Sequence, residues 1–151
     1  MSFQTALSNL AALSVTGITQ HYSIDTIPDQ LHRAQLPALL VMPIETQDRS
    51  LYQDSGRAFD AVAFSDGTKT VQYVVTHLLV IAPEQKGKGL REHLPMLVNC
   101  MDNYLSALAA NITLNAALDE PAQVRVEPGT FTLGHSTYIG CAFRHRWIIA
   151  L

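Results

Sequence analysis

The stretch from Lys69 to Ala82 constrains the chain more than any other. Val71, Tyr73, Val75, His77, Leu79 and Ile81 fall on one face, and Gln72, Val74, Thr76, Leu78 and Val80 on the other. This is the period-two alternation of pleated backbone. Both faces become apolar toward the end of the run, so that end needs cover on both sides. Arg57 to Phe64 precedes it across Ser65-Asp66-Gly67-Thr68, and Asp-Gly suits a tight hairpin because both central residues take positive φ. The fold is therefore built around a sheet.

Other segments supply the rest of it. Thr137 to Ile149 reads as a long closing strand, with Ile139, Cys141, Phe143, His145, Trp147 and Ile149 alternating against Tyr138, Gly140, Ala142, Arg144, Arg146 and Ile148. Ala122 to Val126 and Phe131 to Leu133 read as two strand pieces around Glu127-Pro128-Gly129. The apolar run Ala38 to Met42, closed by Pro43, suits a short central strand covered on both faces, and Gly17 to Ile24 carries another short one. Ser2 caps a first helix whose stripe is Phe3, Ala6, Leu7, Leu10 and Leu13. Leu90, Leu94, Leu97, Met101, Tyr104 and Leu108 line one side of a second helix, in which Pro95 forces either a kink or a start near His93. Pro28 opens a brief helical turn through Leu31 to Ala34. The expected class is α+β, a mostly antiparallel sheet with two main helices packed on it. At 151 residues one domain spanning 1–151 is expected. A long exposed loop is expected at about 44–56, where acids, amides and Arg49 follow no period.

The charge and motif content narrows the function. A formal charge of −3, with Lys and Arg scattered along the chain, disfavours tight nucleic-acid binding. No segment has the roughly 20 apolar residues of a membrane span, and the first residues do not resemble a secretory signal. Cys100 and Cys141 lack the spacing of a redox or zinc pair and read as reduced, buried thiols of a protein made in a cytoplasm. The six histidines form no H-x-x-x-H or H-E-x-x-H pattern, so no metal site is assigned. His77 and His145 read as hydrogen-bonded side chains at a sheet margin. Lys86-Gly87-Lys88-Gly89 lacks phosphate-loop spacing, and neither Ser106 nor Ser136 lies in a G-x-S-x-G elbow. The chain reads as a non-enzyme with no catalytic residue and no cofactor. Arg144 and Arg146 share one face of the closing strand, where they either pair with acids of a neighbouring subunit or form a solvated outer face.

One resemblance covers nearly the whole chain. The short first helix is followed by Ile27-Pro28 and Ala38 to Val41 leading into a long loop. A broad hairpin comes next, then a helix containing Leu94 to Leu108. Asn111-Ile112-Thr113-Leu114 and the closing "Tyr-x-Gly-x-x-Phe" of Tyr138 to Phe143 complete it. In this order of parts the chain resembles the tail terminator, or tail-completion, proteins of long-tailed bacteriophages. The resemblance implies a ring of copies of the chain, usually six. That ring caps the head-proximal end of the tail tube, stops its growth and offers a surface to the neck or head-completion protein. It implies a subunit made in the host cytoplasm and located in the virion, with DNA passing through its lumen without tight binding. On that reading the loop carrying Arg49, Tyr52 and Asp54 and the hairpin around Asp66 contact other rings, and Arg144 and Arg146 lie between subunits. A head-tail joining or tail-tube subunit is the alternative of the same class. A small enzyme or ligand-binding domain using His77, His93, His145 and loop acids is the alternative of a different one.

Overall fold

The computed structural model describes residues 2–42, 61–84 and 90–150. Among these are helix α1 (Phe3–Ala11), strands β1 (Gln20–Tyr22), β2 (Ala38–Met42), β3 (Ala61–Ser65) and β4 (Thr68–Pro83), helix α2 (Leu94–Ala109), and strands β5 (Gln123–Leu133) and β6 (Ser136–Ala150). The strands form one six-stranded sheet in the order β1-β2-β4-β6-β5, with β3 paired to β4. The β1–β2 pair is parallel and every other pair antiparallel. This is the α+β class with a mostly antiparallel sheet. The expected loop at 44–56, and with it Arg49, Tyr52 and Asp54, lies outside the described residues, as does the Lys86 to Gly89 segment.

Local chemistry accounts for most element ends. The Ser2 side chain accepts from the Thr5 N–H at 3.1 Å and caps α1, which buries Ala6, Leu7 and Leu10. In the β3–β4 turn Asp66 and Gly67 both have positive φ, at 41° and 82°. Pro95 falls in the first turn of α2, where its missing N–H has no carbonyl to bond. The later start is thus the outcome found, preceded by a 3-10 turn over Leu90–Glu92. Leu94 belongs to that exposed start and not to the buried stripe, which is Leu97, Cys100, Tyr104 and Leu108.

Two expectations are corrected. The helical turn occupies Arg33–Gln35 with His32 as its cap, not a stretch opening at Pro28. And β5 runs without a break through Pro128 and Gly129. It is an outermost strand, so one of its edges has no ladder to feed and a proline is tolerated there.

The sheet is covered on both faces. On one side α1, α2 and the turn residues Leu114 to Leu118 pack on Leu39, Val41, Val75, Leu79, Phe143 and Trp147. On the other, Leu31 and its neighbours Ile27 and Leu36 pack on Leu40, Leu78, Val80, Tyr138 and Ala142. The Tyr138 hydroxyl accepts from the Leu31 N–H at 3.0 Å and donates to the Leu31 carbonyl at 3.1 Å. β4 and β6 approach so closely at Gly140 that a Cβ there would collide with the Leu79 carbonyl oxygen, beside the irregularity in register between Val80 and Ala82.

Candidate functional site

Four polar side chains meet inside the helix-covered half of the core. His77 from β4 and His145 from β6 are fully buried, as are Tyr104 of α2 and Trp147 of β6. Period two puts the strand residues on the face under α2, and the inner stripe of α2 brings Tyr104 down between the two imidazoles. The Trp147 indole N–H donates to His145 Nδ1 at 3.1 Å, His145 Nε2 lies 2.6 Å from the Tyr104 hydroxyl, and that hydroxyl lies 2.8 Å from His77 Nδ1.

The direction of the protons follows from one end. Indole can only donate, so His145 Nδ1 carries no proton and Nε2 carries it. His145 then donates to the Tyr104 oxygen, and the phenolic proton goes to His77 Nδ1. Both histidines are held as neutral Nε2–H tautomers in a single directed chain. Burial acts in the same sense, pulling His145 down to about 3 and His77 well below the usual imidazole value, the latter lowered further by any proton that His145 or His21 would carry. Burial also raises Tyr104 well above the ordinary phenol range, with Cys141 adding to it. Such a chain orients α2 on the sheet and has no open side for a substrate. The expected place of His77 and His145 at a sheet margin is corrected to the centre, because β4 and β6 are interior strands with α2 laid across them.

The arginines of β6 part company. Arg144 is only 6% exposed. Its Nε donates to Glu127 Oε2 at 2.5 Å and its Nη1 to Thr76 Oγ1 at 3.1 Å, while the other oxygen of Glu127 takes Arg125 Nε at 3.0 Å. Arg144 thus pairs within its own chain and ties β4, β6 and β5 together. Arg146, two residues on, is exposed and lines a shallow recess of about 170 Å³ with Gln72, Glu120, Pro121, Gln123 and Ile148. Asp66 stands apart from both at the tip of the β3–β4 hairpin. Both cysteines are free thiols and buried; Cys141 is pushed up to about 12 by burial, which keeps it an inert thiol.

What the chain turns outward is of another kind. Leu94, Met96, Val98 and Leu105 of α2, and Ile112 just beyond it, are each 40–54% exposed. Asp102 is the single charged residue in the helix. Phe64 on the hairpin is 78% exposed. The sequence pattern places Tyr104 and Trp147 on apolar faces without joining them, and singles out neither Phe64 nor the outer side of α2. The signal for the latter was the near-absence of charge in a helix already supplied with one apolar stripe. Among the described residues no group of His, Cys, Asp and Glu is arranged to hold a metal ion, and no helix is long and apolar enough to cross a membrane.

No protein-family model matches the chain, and no curated protein matches it in sequence.

Proposed function

We propose that the chain is a structural virion subunit, a tail terminator that closes into a ring, usually of six copies. The ring caps the head-proximal end of a phage tail tube and joins it to the neck or head-completion protein. The observation that carries this reading is the distribution of side chains. His77, Tyr104 and His145 are hydrogen-bonded to one another inside the fold, and Arg144 is bonded to Glu127 and Thr76. Besides Asn99, Asp102 and Ser106, the solvent side of α2 exposes Leu94, Met96, Val98 and Leu105, large apolar side chains of the kind that another protein covers. The mechanism is positional. A closed ring binds the last tube ring by one surface, and its opposite surface accepts the neck instead of another tube ring. It needs no cofactor, and a net charge of −3 suits a lumen that DNA passes without adhering.

The test is the mass of the purified protein by light scattering over a concentration series, repeated with tails that lack a terminator and followed by imaging. A closed ring in solution, or one ring at a single tail tip, is the expected result. A monomer that never joins tails overturns the reading, and open stacks would reassign the chain to the tail tube.

A further inference from the structure

The proposed ring leaves open which surfaces join its subunits, and two complementary ones are on the page. The first is the outer side of α2. Leu94, Val98 and Leu105, each about half exposed, lie within about 40° of one another around the helix and form one aliphatic strip along it, with Met96 on the opposite flank. Its one charge, Asp102, is exposed. A face with an acid and no base suits neither nucleic acid nor an anionic lipid surface, so its occupant is a protein.

The second surface is the tip of the β3–β4 hairpin. The last rung between β4 and β6 is Thr70 with Ala150, and β2 leaves β4 at Thr76. Among the described residues, 64–69 therefore have only each other as strand partners. Phe64 and Lys69 are directly opposite in that register and so stand on the same side of the hairpin. Among the described residues Phe64 is the most exposed of the large apolar side chains, and Lys69 is exposed beside it. The tip offers an aromatic knob and a cation; α2 offers an aliphatic bed and an anion. Neither Lys69 nor Asp102 has an ion-pair partner among the described residues.

We infer that the hairpin tip of one copy docks on the outer face of α2 of the next, Phe64 on the bed formed by Leu94, Val98 and Leu105 and Lys69 toward Asp102. The two patches lie on different elements of one chain, so the contact is head-to-tail, the kind that generates rings when the rotation closes. A two-fold pairing of α2 with itself would bring two Asp102 carboxylates to one interface, whereas the head-to-tail contact matches each with an ammonium. The inference rests on the ring reading for its setting, but the contact is measurable apart from ring closure.

The experiment uses two variants of the full chain, Phe64→Glu and the pair Val98→Glu with Leu105→Glu, all at exposed positions. Each alone is expected to lose self-association about tenfold or more, as removal of a central anchor does, with its circular dichroism and melting temperature unchanged. Mixed, they retain one intact hairpin and one intact α2 face between them, so light scattering should find dimers and nothing larger. Charge reversal gives a second readout: Lys69→Asp and Asp102→Lys each weaken association, and both together in one chain restore it. If the wild type forms rings and the Glu variants form them equally well, the inference falls while the ring reading stands. If the mixture gives dimers but the wild type never closes or caps tails, the contact stands and the ring reading falls. A wild type that shows no self-association and a mixture that stays monomeric overturn both.

Discussion

Acid should unfold this protein through the two core histidines, and the size of the effect follows from the hydrogen-bond chain. In the folded state His145 is neutral because its Nδ1 accepts from Trp147 while its Nε2 donates to Tyr104. A proton added at Nδ1 would set two donors against each other. His77 is neutral because its Nδ1 accepts from Tyr104, and burial first, then the repulsion that a proton on His145 or His21 would exert, opposes a cation there. In the unfolded chain both titrate near the ordinary imidazole value, about 6.5. The folded values lie lower, about 3 for His145, so unfolding takes up protons between those limits. Stability is fully present above about pH 6.5 and is lost as pH falls toward the folded values. His145 costs about 1.4 kcal/mol per pH unit in that window, and His77, lowered by the same burial, adds to the loss. By pH 4.5 His145 alone removes about 2.7 kcal/mol, a large part of the whole stability of many small domains, and His77 acts in the same direction.

Urea unfolding followed by fluorescence is the assay, since the single tryptophan is Trp147 and is completely buried. Stability is measured at steps from pH 8 to pH 4.5 in the wild type and in His145→Gln. Glutamine can accept from Trp147 with its oxygen and donate to Tyr104 with its nitrogen, so it keeps the chain and removes one titrating group. The variant should show a slope smaller by about 1.4 kcal/mol per pH unit below pH 6. Carboxylates and His21, which is itself lowered by burial, contribute equally to both proteins and cancel in the difference. Equal slopes would refute the assignment of a neutral, proton-directed core.

The remaining expectations concern backbone approach and the sheet face. Gly140→Ala should destabilise by about 3 kcal/mol or more, because the obstacle to its Cβ is the Leu79 backbone, which cannot step aside without breaking the β4–β6 ladder; the midpoint of urea unfolding reports it, and a change under 1 kcal/mol would contradict the close approach. Arg144→Ala should cost about 2–4 kcal/mol, since it strips the buried link between Thr76 and Glu127, whereas Arg146→Ala should stay within about 0.5 kcal/mol, as exposed substitutions do. Equal effects of the two would remove the distinction drawn between them.

Which features were legible in the sequence follows from the range of the physics behind them. Asp66-Gly67 specified its turn because positive φ is a property of two adjacent residues, and Pro95 marked the first turn of α2 for a similarly local reason. Pro128 misled because its tolerance depends on β5 being outermost, a fact about neighbours and not about the segment. Period two put His77, His145 and Trp147 on apolar faces and helical spacing put Tyr104 on the inner stripe, so every member of the core chain was individually in place. Their meeting needed the β4–β6 register, in which Tyr73 opposes Trp147 and Val75 opposes His145. Arg144 and Arg146 share a face in the sequence, but only the lateral position of Glu127 on β5 makes one internal and leaves the other exposed.

The core chain and the outer face of α2 bear on each other. A helix with Leu97, Cys100 and Leu108 on one stripe and Leu94, Val98 and Leu105 on another about a quarter-turn away has aliphatic material for either, so hydrophobic burial alone discriminates weakly between two rotations about its axis. Tyr104 removes that ambiguity. Rotating α2 by about a quarter-turn would withdraw its hydroxyl and leave His77 and His145 buried beside each other without their shared partner, at the cost of unsatisfied polar groups in the core. A polar anchor on the inner side thus determines which aliphatic residues face outward. Val98 and Leu105 are exposed for the same reason that Tyr104 is not: the hydrogen bonds under the helix select the surface that the helix presents.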